Sequence, residues 1–340
     1  MIKIHIVSET PFVKQGTGVH TAFADHIKLL KEGNDIQVVV NDEGTGDVFH
    51  SHTYGPYYFW KGRKYKGVRV LTVHVIPDSM EGTITNSKLW MPFVNWYLKK
   101  VYNYADVCIA ISPMVKKALQ DLGVKSKVVS ILNPIDLQLW KRTKDHRERG
   151  RKLLGLADDD FVVLGVGQIQ GRKGVEDFID IGAAIPQGKF AWVGGTPMGV
   201  LNEGSARIHH KISNAQKNIH FAGLIDLENM PLIYAAADIL LFPSFQENCP
   251  LAPLEAAACG MPVIFRNIPE YTTLYERPYL KADNTQEFIE ITQRLILDPT
   301  FYQKALDLSQ ALLLQFDRNN IRKKMISLYS GLIAKNSLKS

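Results

Sequence analysis

The chain has little with which to hold itself together covalently. Its 340 residues include three cysteines, Cys108, Cys249 and Cys259, an odd number without a C-x-x-C spacing. That argues against structural disulfides and a zinc site, and it points to a reducing compartment such as the cytosol. Long apolar runs are missing too. None reaches the roughly 18 residues a membrane-spanning helix needs. The first apolar stretch, MIKIHIVSETPF, is interrupted by Lys3, His5 and Glu9 and reads as an opening β-strand, not a signal peptide. Internal repeats and low-complexity tracts are absent, and the 25 glycines and 16 prolines are scattered, which excludes fibrous classes. What remains is a globular composition, 46% hydrophobic and 22% charged, in a chain long enough for two domains of about 150 residues.

Charge is unevenly placed. The net formal charge of +6 divides into +4 over residues 1–140, +5 over 141–152, −8 over 153–310 and +5 over 311–340. One side of the molecule is therefore expected to meet an anionic partner, a membrane surface or a nucleic acid, unless the charge is merely solvated.

Strand-like and helix-like patterns alternate. Strands are predicted at Ile2–Val7, Ile36–Val40, Asp47–Ser51, Val68–Val73, Ala105–Ile111 and Lys127–Ile131. The rhythm restarts after the basic stretch with Phe161–Val166, Lys189–Val193, Asn218–Phe221, Ile239–Phe242 and Pro262–Phe265. Helical periods intervene, among them 19–31, 175–185 and 251–259. Such alternation predicts an α/β chain of parallel sheets built from βαβ units. Two blocks predict two Rossmann-like domains facing across a cleft: 1–138, a basic linker 139–152, then 153–315. Ligands of such sheets bind at the carboxyl ends of the strands.

The most specific segment is FPSFQENCPLAPLEAAACGMPV, residues 242–263. A strand runs into a tight loop with Glu247 and Asn248, and a helix beginning near Leu251 carries Glu255 one turn inside. The helix start offers backbone N–H groups to a phosphate. A loop carboxylate and a helix carboxylate can each accept from vicinal hydroxyls of a sugar or ribose. Two glutamates eight apart also occur on ordinary βα units, so the whole frame carries the signal. A second segment, VGQIQGRKG at 166–174, follows the strand Phe161–Val166 and concentrates Gln168, Arg172 and Lys173 between glycines.

These two segments resemble the retaining glycosyltransferases of family four, which have the GT-B fold. The E-x7-E signature would make Glu247 the holder of the donor sugar's hydroxyls and Glu255 that of the nucleotide ribose. Lys173 matches the family lysine that neutralises the donor diphosphate. Gln168 stands where the family has arginine, and Arg172 is the candidate to restore that charge. The Gln-x-Gln-x-Arg-Lys-Gly form resembles bacterial glucosyl-diacylglycerol synthases, and so does His74-x-x-Pro77-Asp78-x-x-x-Gly82. His74 matches an active-site histidine; Gly16 and Gly18 match an N-terminal glycine loop that approaches the diphosphate. Phe221–Leu224 resembles the segment whose backbone reads the base. Asp47-x-x-His50-x-His52 matches a strand-end motif in which His50 reads as structural and His52 as intermediate. The junction Asn133-Pro134-Ile135-Asp136 departs from the family's Asn-Gly-x-Asp.

By this resemblance the basic segment 316–340 crosses back as a helix onto the N-terminal domain. The implied activity is transfer of a hexose, glucose foremost, from a UDP-sugar to a membrane lipid such as diacylglycerol or glucosyl-diacylglycerol, with an α-linkage. The alternatives are a polysaccharide or cell-wall enzyme with a soluble or polyprenyl-linked acceptor, and a non-catalytic companion subunit, suggested by Gln168. The resemblance implies no metal: the expected cations are side chains, and Asp158–Asp160 reads as a solvated turn. Tyr54–Lys66 and Trp90–Lys100 interleave aromatics with cations, as suits contact with an anionic bilayer surface. Their inner faces are expected to pack on the sheet. No RNA-binding signature appears, so no nucleic-acid partner is expected, and the enzyme is placed on the inner face of the cell membrane as a peripheral protein.

Overall fold

The computed structural model describes residues 1–12, 18–42, 45–63, 65, 67–80, 87–196 and 205–338. Gly16, Lys64, Lys66 and Gly82, singled out above, lie outside them. The chain divides into two compact units, one holding residues 1–135 and 316–340 apart from a short stretch after 81, the other 136–315. Each is organised around a six-stranded sheet in which every pairing is parallel.

In the first unit the strands are β1 (Ile2–Val7), β2 (Ile36–Val40), β3 (Val48–Ser51), β4 (Val68–Val73), β5 (Val107–Ala110) and β6 (Lys127–Ser130), ordered β2-β1-β3-β4-β5-β6. The second has β7 (Val162–Val166), β8 (Lys189–Val193), β9 (Ile219–Gly223), β10 (Ile239–Phe242), β11 (Val263–Arg266) and β12 (Lys281–Ala282), ordered β9-β8-β7-β10-β11-β12. Both are Rossmann-like. Strand order reverses between β1 and β3 and between β7 and β10, and at such a reversal the loops leave in opposite directions and open a crevice at the carboxyl ends.

The near-continuous Val/Ile/Leu runs of these strands follow from helices on both faces. In the second unit Phe178, Phe190, Trp192, Ile239 and Ile264 form the fully buried centre. In the first unit the core is completed from the far end of the sequence. The helix Arg318–Ser337 inserts Ile321, Met325 and Tyr329, four residues apart, against Ile4, Phe23 and Leu29, the spacing of one helix face. Arg318 reaches Glu32 and Arg322 reaches Asp35 and the Leu29 carbonyl. The predicted return of this segment to the N-terminal unit is thus seen directly.

The basic stretch expected as a linker is folded instead. Lys144–Leu154 is a helix of the second unit, capped by Thr143 Oγ1 accepting from His146 N at 3.1 Å. Arg147 and Arg151, one turn apart, both bind Asp238, at 2.7 and 3.2 Å. Gly150 lets the helix press on the backbone of Leu232. Two of the charges that suggested a basic linker are thus ligands for one largely buried carboxylate. As a result the first unit, by sequence, has 22 Lys and Arg against 12 Asp and Glu, and the second is net acidic. Asp158–Asp160 lie in an exposed turn, closed by Asp160 Oδ2 accepting from Ala157 N.

Candidate active site

The reversal between β7 and β10 sets the site of the second unit. The loop 167–174 leaves β7 and the loop 243–251 leaves β10, and a glycine makes them touch. Gly174 has φ +71°, and a β-carbon on it would lie 2.3 Å from the Pro243 carbonyl oxygen. Gly194, after β8, meets the Gly167 carbonyl in the same way. A side chain at 174 would be strained by its backbone and would also push the two loops apart. Gly174→Ala is expected to destabilise the protein by about 3 kcal/mol, lowering the melting temperature by roughly 6–12 °C; an unchanged melt would show that this contact sets nothing.

On this scaffold the cations meet the acids. Lys173 Nζ donates to Glu247 Oε1 across the two loops, and Glu247 is 8% exposed. Burial pushes the Lys173 ammonium below its usual range, while the Glu247 carboxylate pulls the other way and Arg172 adds to the depression. The glutamine in the arginine's place has a visible use. Gln168 Oε1 accepts from Gln170 Nε2 at 3.0 Å, and Gln170 Oε1 accepts from Arg172 Nε at 3.0 Å. The guanidinium so held donates on to the Gln246 carbonyl at 3.4 Å, beside Glu247. Gln168 therefore orients a cation that it does not carry.

Glu255 is on the helix Ala252–Ala258, whose N-cap is Leu251, and it is 7% exposed. Its Oε2 accepts from the Tyr234 hydroxyl at 2.5 Å, and Tyr234 is itself wedged edge-on against Trp140. Asn248 Oδ1 accepts from Gln246 Nε2 within the loop. Leu224 follows β9, half exposed, lying against Gly195. The structure thus gathers Gln168, Arg172, Lys173, Leu224, Glu247, Asn248, Leu251 and Glu255 at the carboxyl edge of one sheet. Gln170 and Tyr234, the two groups that hold Arg172 and Glu255, were not foreseen.

Gly18 and His74 belong to the other unit. Gly18 begins the helix Gly18–Lys31. His74 follows β4 and shares a hydrogen bond with His52, Nε2 to Nδ1 at 3.1 Å. His52 Nε2 shares another with His26 Nδ1 at 2.6 Å, and His50 lies stacked on His52. His50 and His52, two apart at the end of a strand, face the same way. Burial holds all four rings below the ordinary histidine range: His26 down to about 3, His74 to about 4, and His50 and His52 in the same direction, with neighbouring imidazoles adding to the shift for His26, His50 and His52. They are neutral at physiological pH.

Comparison with known proteins agrees with this geometry. Residues 160–298 match the family model described as glycosyl transferases group 1, and residues 25–139 match glycosyltransferase family 4. The alpha-galactosylglucosyldiacylglycerol synthase of Streptococcus pneumoniae is 32% identical over 295 residues, 85% of this chain and 79% of that one. The processive diacylglycerol alpha-glucosyltransferase of Acholeplasma laidlawii is 26% identical over 87% of this chain and 88% of its own. In fold the chain is similar to Anabaena HepE, solved with UDP and glucose, at a TM-score of 0.76 and 19% identity over 98% of this chain and all of that one. Sucrose-phosphate synthase of Thermosynechococcus elongatus gives 0.78 and 20% over the same shares. With a relative this similar over most of both lengths, the chain belongs to the family-four glycosyltransferases and is a hexosyltransferase.

Proposed function

We propose that the protein transfers a hexose from a UDP-sugar to diacylglycerol or a glycosyl-diacylglycerol, with retention, at an anionic membrane surface. The observation that carries this reading is the Lys173–Glu247 pair, a phosphate-seeking cation and a hydroxyl-seeking carboxylate bonded to each other at the strand-order reversal. Lys173 and Arg172 would take the diphosphate together with the amides near Leu251, Glu247 the sugar hydroxyls, and Glu255, anchored by Tyr234, the ribose. The segment at Leu224 would meet the base, and His74 would position the sugar or acceptor. The acceptor hydroxyl attacks the anomeric carbon on the face the diphosphate leaves. As the bond to the UDP oxygen breaks, the departing phosphate takes the hydroxyl proton, so no enzyme nucleophile is needed. Two cations at the leaving group make a divalent ion dispensable; turnover that survives EDTA is the expected result.

The relatives named for diacylglycerol lipids support a lipid acceptor. So does one exposed helix face. Ser87–Tyr104 buries Leu98, Val101 and Tyr102 but leaves Leu89, Trp90, Phe93 and Trp96 between 53% and 79% exposed. Phe93 stacks on Trp96, and Lys100 sits over the Trp96 ring. Trp60, with Lys61 over it, is exposed on the neighbouring helix Pro56–Gly62. Aromatics beside lysines anchor proteins at the headgroup level. On this reading the protein sits on the inner face of the cell membrane.

The test is UDP release and product analysis with UDP-glucose and UDP-galactose, against diacylglycerol, glucosyl-diacylglycerol and a polyprenyl diphosphate sugar. Turnover only with the last would replace the acceptor, and no UDP release with any would leave a non-catalytic subunit. Vesicle binding is expected to rise with anionic lipid, fall with salt, and weaken at least tenfold in Trp90→Ala/Phe93→Ala/Trp96→Ala. Binding indifferent to these changes would reject this face. Arg172→Ala and Gln170→Ala are both expected to lower turnover, the second because the guanidinium loses its holder; normal activity in both would leave Gln168 without a role.

A further inference from the structure

We infer that Arg266, at the end of β11, is a positioning residue for the donor site, a clamp that holds the loop carrying Lys173 in register with the loop carrying Glu247. Its effect on UDP binding rests on the proposed role of Lys173 at the diphosphate.

β11 lies outside both donor motifs, beside β10 and on the side away from β7. Its last residue nevertheless reaches both loops. Arg266 Nε donates at 2.8 Å to the carbonyl of Pro243, the first residue after β10. Nη2 of the same guanidinium donates to Asp177 Oδ2. Asp177 stands in the first turn of the helix Val175–Ala184, one turn past Lys173, and its other oxygen accepts from Thr285 Oγ1 at 3.1 Å. The guanidinium carbon also lies 3.9 Å from the centre of the Phe245 ring, and Phe245 N donates to the Arg172 carbonyl at 2.8 Å. The Pro243 carbonyl is the pivot: Gly174 packs against it from one loop, and Arg266 binds it from β11.

Arg266 is 7% exposed. Burial presses its guanidinium below the usual range, and the Asp177 carboxylate pulls the other way. A buried charge is expensive even when paired, and an apolar residue in its place commonly serves stability as well. Ile264 and Phe265, next to it on β11, are apolar and fully buried. What distinguishes a guanidinium is its planar fork, which donates in two directions at once and offers a flat face to a ring. Here the two directions are the start of the helix behind Lys173 and the loop ahead of Glu247. Those two side chains bond to each other only at the present spacing of their loops, and a displacement of about 1 Å in a site can cost up to about 100-fold.

Arg266→Met fills much of the same space and removes both bonds. Calorimetric titration is expected to show UDP bound about tenfold more weakly. Hydrogen exchange followed by NMR is expected to quicken at the Phe245 amide by a larger factor than at the amides of β8. Arg266→Lys is expected to be nearly as impaired, because a single ammonium does not reproduce the fork. Arg151→Met removes another buried guanidinium of the same unit, one bonded to Asp238. It is expected to lower the melting temperature and to leave UDP affinity and the relative exchange of Phe245 unchanged. In the Lys173→Ala background Arg266→Met is expected to cost less UDP affinity than in the native one, since it acts through Lys173. Phe245 exchange in Arg266→Met that quickens no more than that of β8 would overturn the inference. So would the full loss of UDP affinity recurring in Lys173→Ala, or native UDP affinity in Arg266→Met where Lys173→Ala weakens UDP. UDP affinity untouched by Lys173→Ala would instead refute the role of Lys173, while Phe245 exchange still decides the clamp.

Discussion

Lys173→Ala is expected to lower kcat/KM for the UDP-sugar by 10- to 150-fold. The lost contact is a charge-assisted hydrogen bond to phosphate, about 1.5–3 kcal/mol, and each 1.36 kcal/mol is a factor of ten. The deletion reaches further than one contact, because the ammonium is bonded to the nearly buried Glu247. Removing it leaves a carboxylate beside the donor site without its cation, which repels the diphosphate as well. The two residues are therefore expected to couple. Glu247→Gln alone should impair transfer while keeping most of the affinity for free UDP. Lys173→Ala should weaken UDP itself, and so should Glu255→Ala, which loses the ribose contact that Tyr234 holds in place. In the double variant Lys173→Ala/Glu247→Gln the losses should fall short of additive by 0.5–3 kcal/mol, in the range usual for bonded neighbours. Calorimetric titration with UDP and steady-state kinetics on the four proteins give the cycle. UDP binding untouched by Lys173→Ala, or strictly additive losses, would remove the pair from the centre of the site.

Most of the architecture could be read from local pattern. The strands Ile2–Val7, Ile36–Val40, Val68–Val73, Lys189–Val193 and Ile239–Phe242 have the bounds predicted for them, because their β-branched and apolar residues mark them even with Lys3, His5, Gln37, Arg69 and Thr72 inside. Helices 175–185 and 251–259 are within a residue or two of Val175–Ala184 and Ala252–Ala258. β12 escaped notice: Lys281–Ala282 is two residues at a sheet edge, too short for any period. The basic segment was misjudged because charge density looks the same whether the partners are water or, as here, an aspartate 91 residues downstream. At the site, the residues that point into the loops of the second unit belong to contiguous motifs and were legible. Their holders were not. Tyr234 lies 21 residues before Glu255, and Tyr329 lies 279 residues after His50; no spacing rule links a side chain to a hydroxyl that only the folded chain brings near. Gln170 carried no such signal either, because bends after β7 and the 3₁₀ turn Gly171–Lys173, not a strand's alternation, bring 168, 170 and 172 together.

The imidazole chain makes the protein fragile to acid. In the native state burial holds His26 near a pKa of about 3 and His74 near about 4, with His50 and His52 lowered in the same sense. Unfolded, each returns to about 6.5. As pH falls below that value the unfolded chain takes up protons that the folded chain refuses, so the stability these rings contribute is complete above pH 6.5 and is lost on the way down. For His26 and His74 each ring costs about 1.4 kcal/mol per pH unit, which is about 4 kcal/mol for the two at pH 5, and His50 and His52 act in the same direction. That is a large share of the stability of an ordinary domain, about 5–15 kcal/mol. His5, also buried and also lowered, acts in the same direction. Urea melts between pH 7.5 and 4.5 are therefore expected to show stability flat above pH 7 and falling below 6.5. The slope should correspond to about two protons or more taken up on unfolding between pH 6 and 5, two being the share of His26 and His74. Stability unchanged down to pH 4.5, or a slope of one proton or fewer, would mean that these rings take up protons in the folded protein.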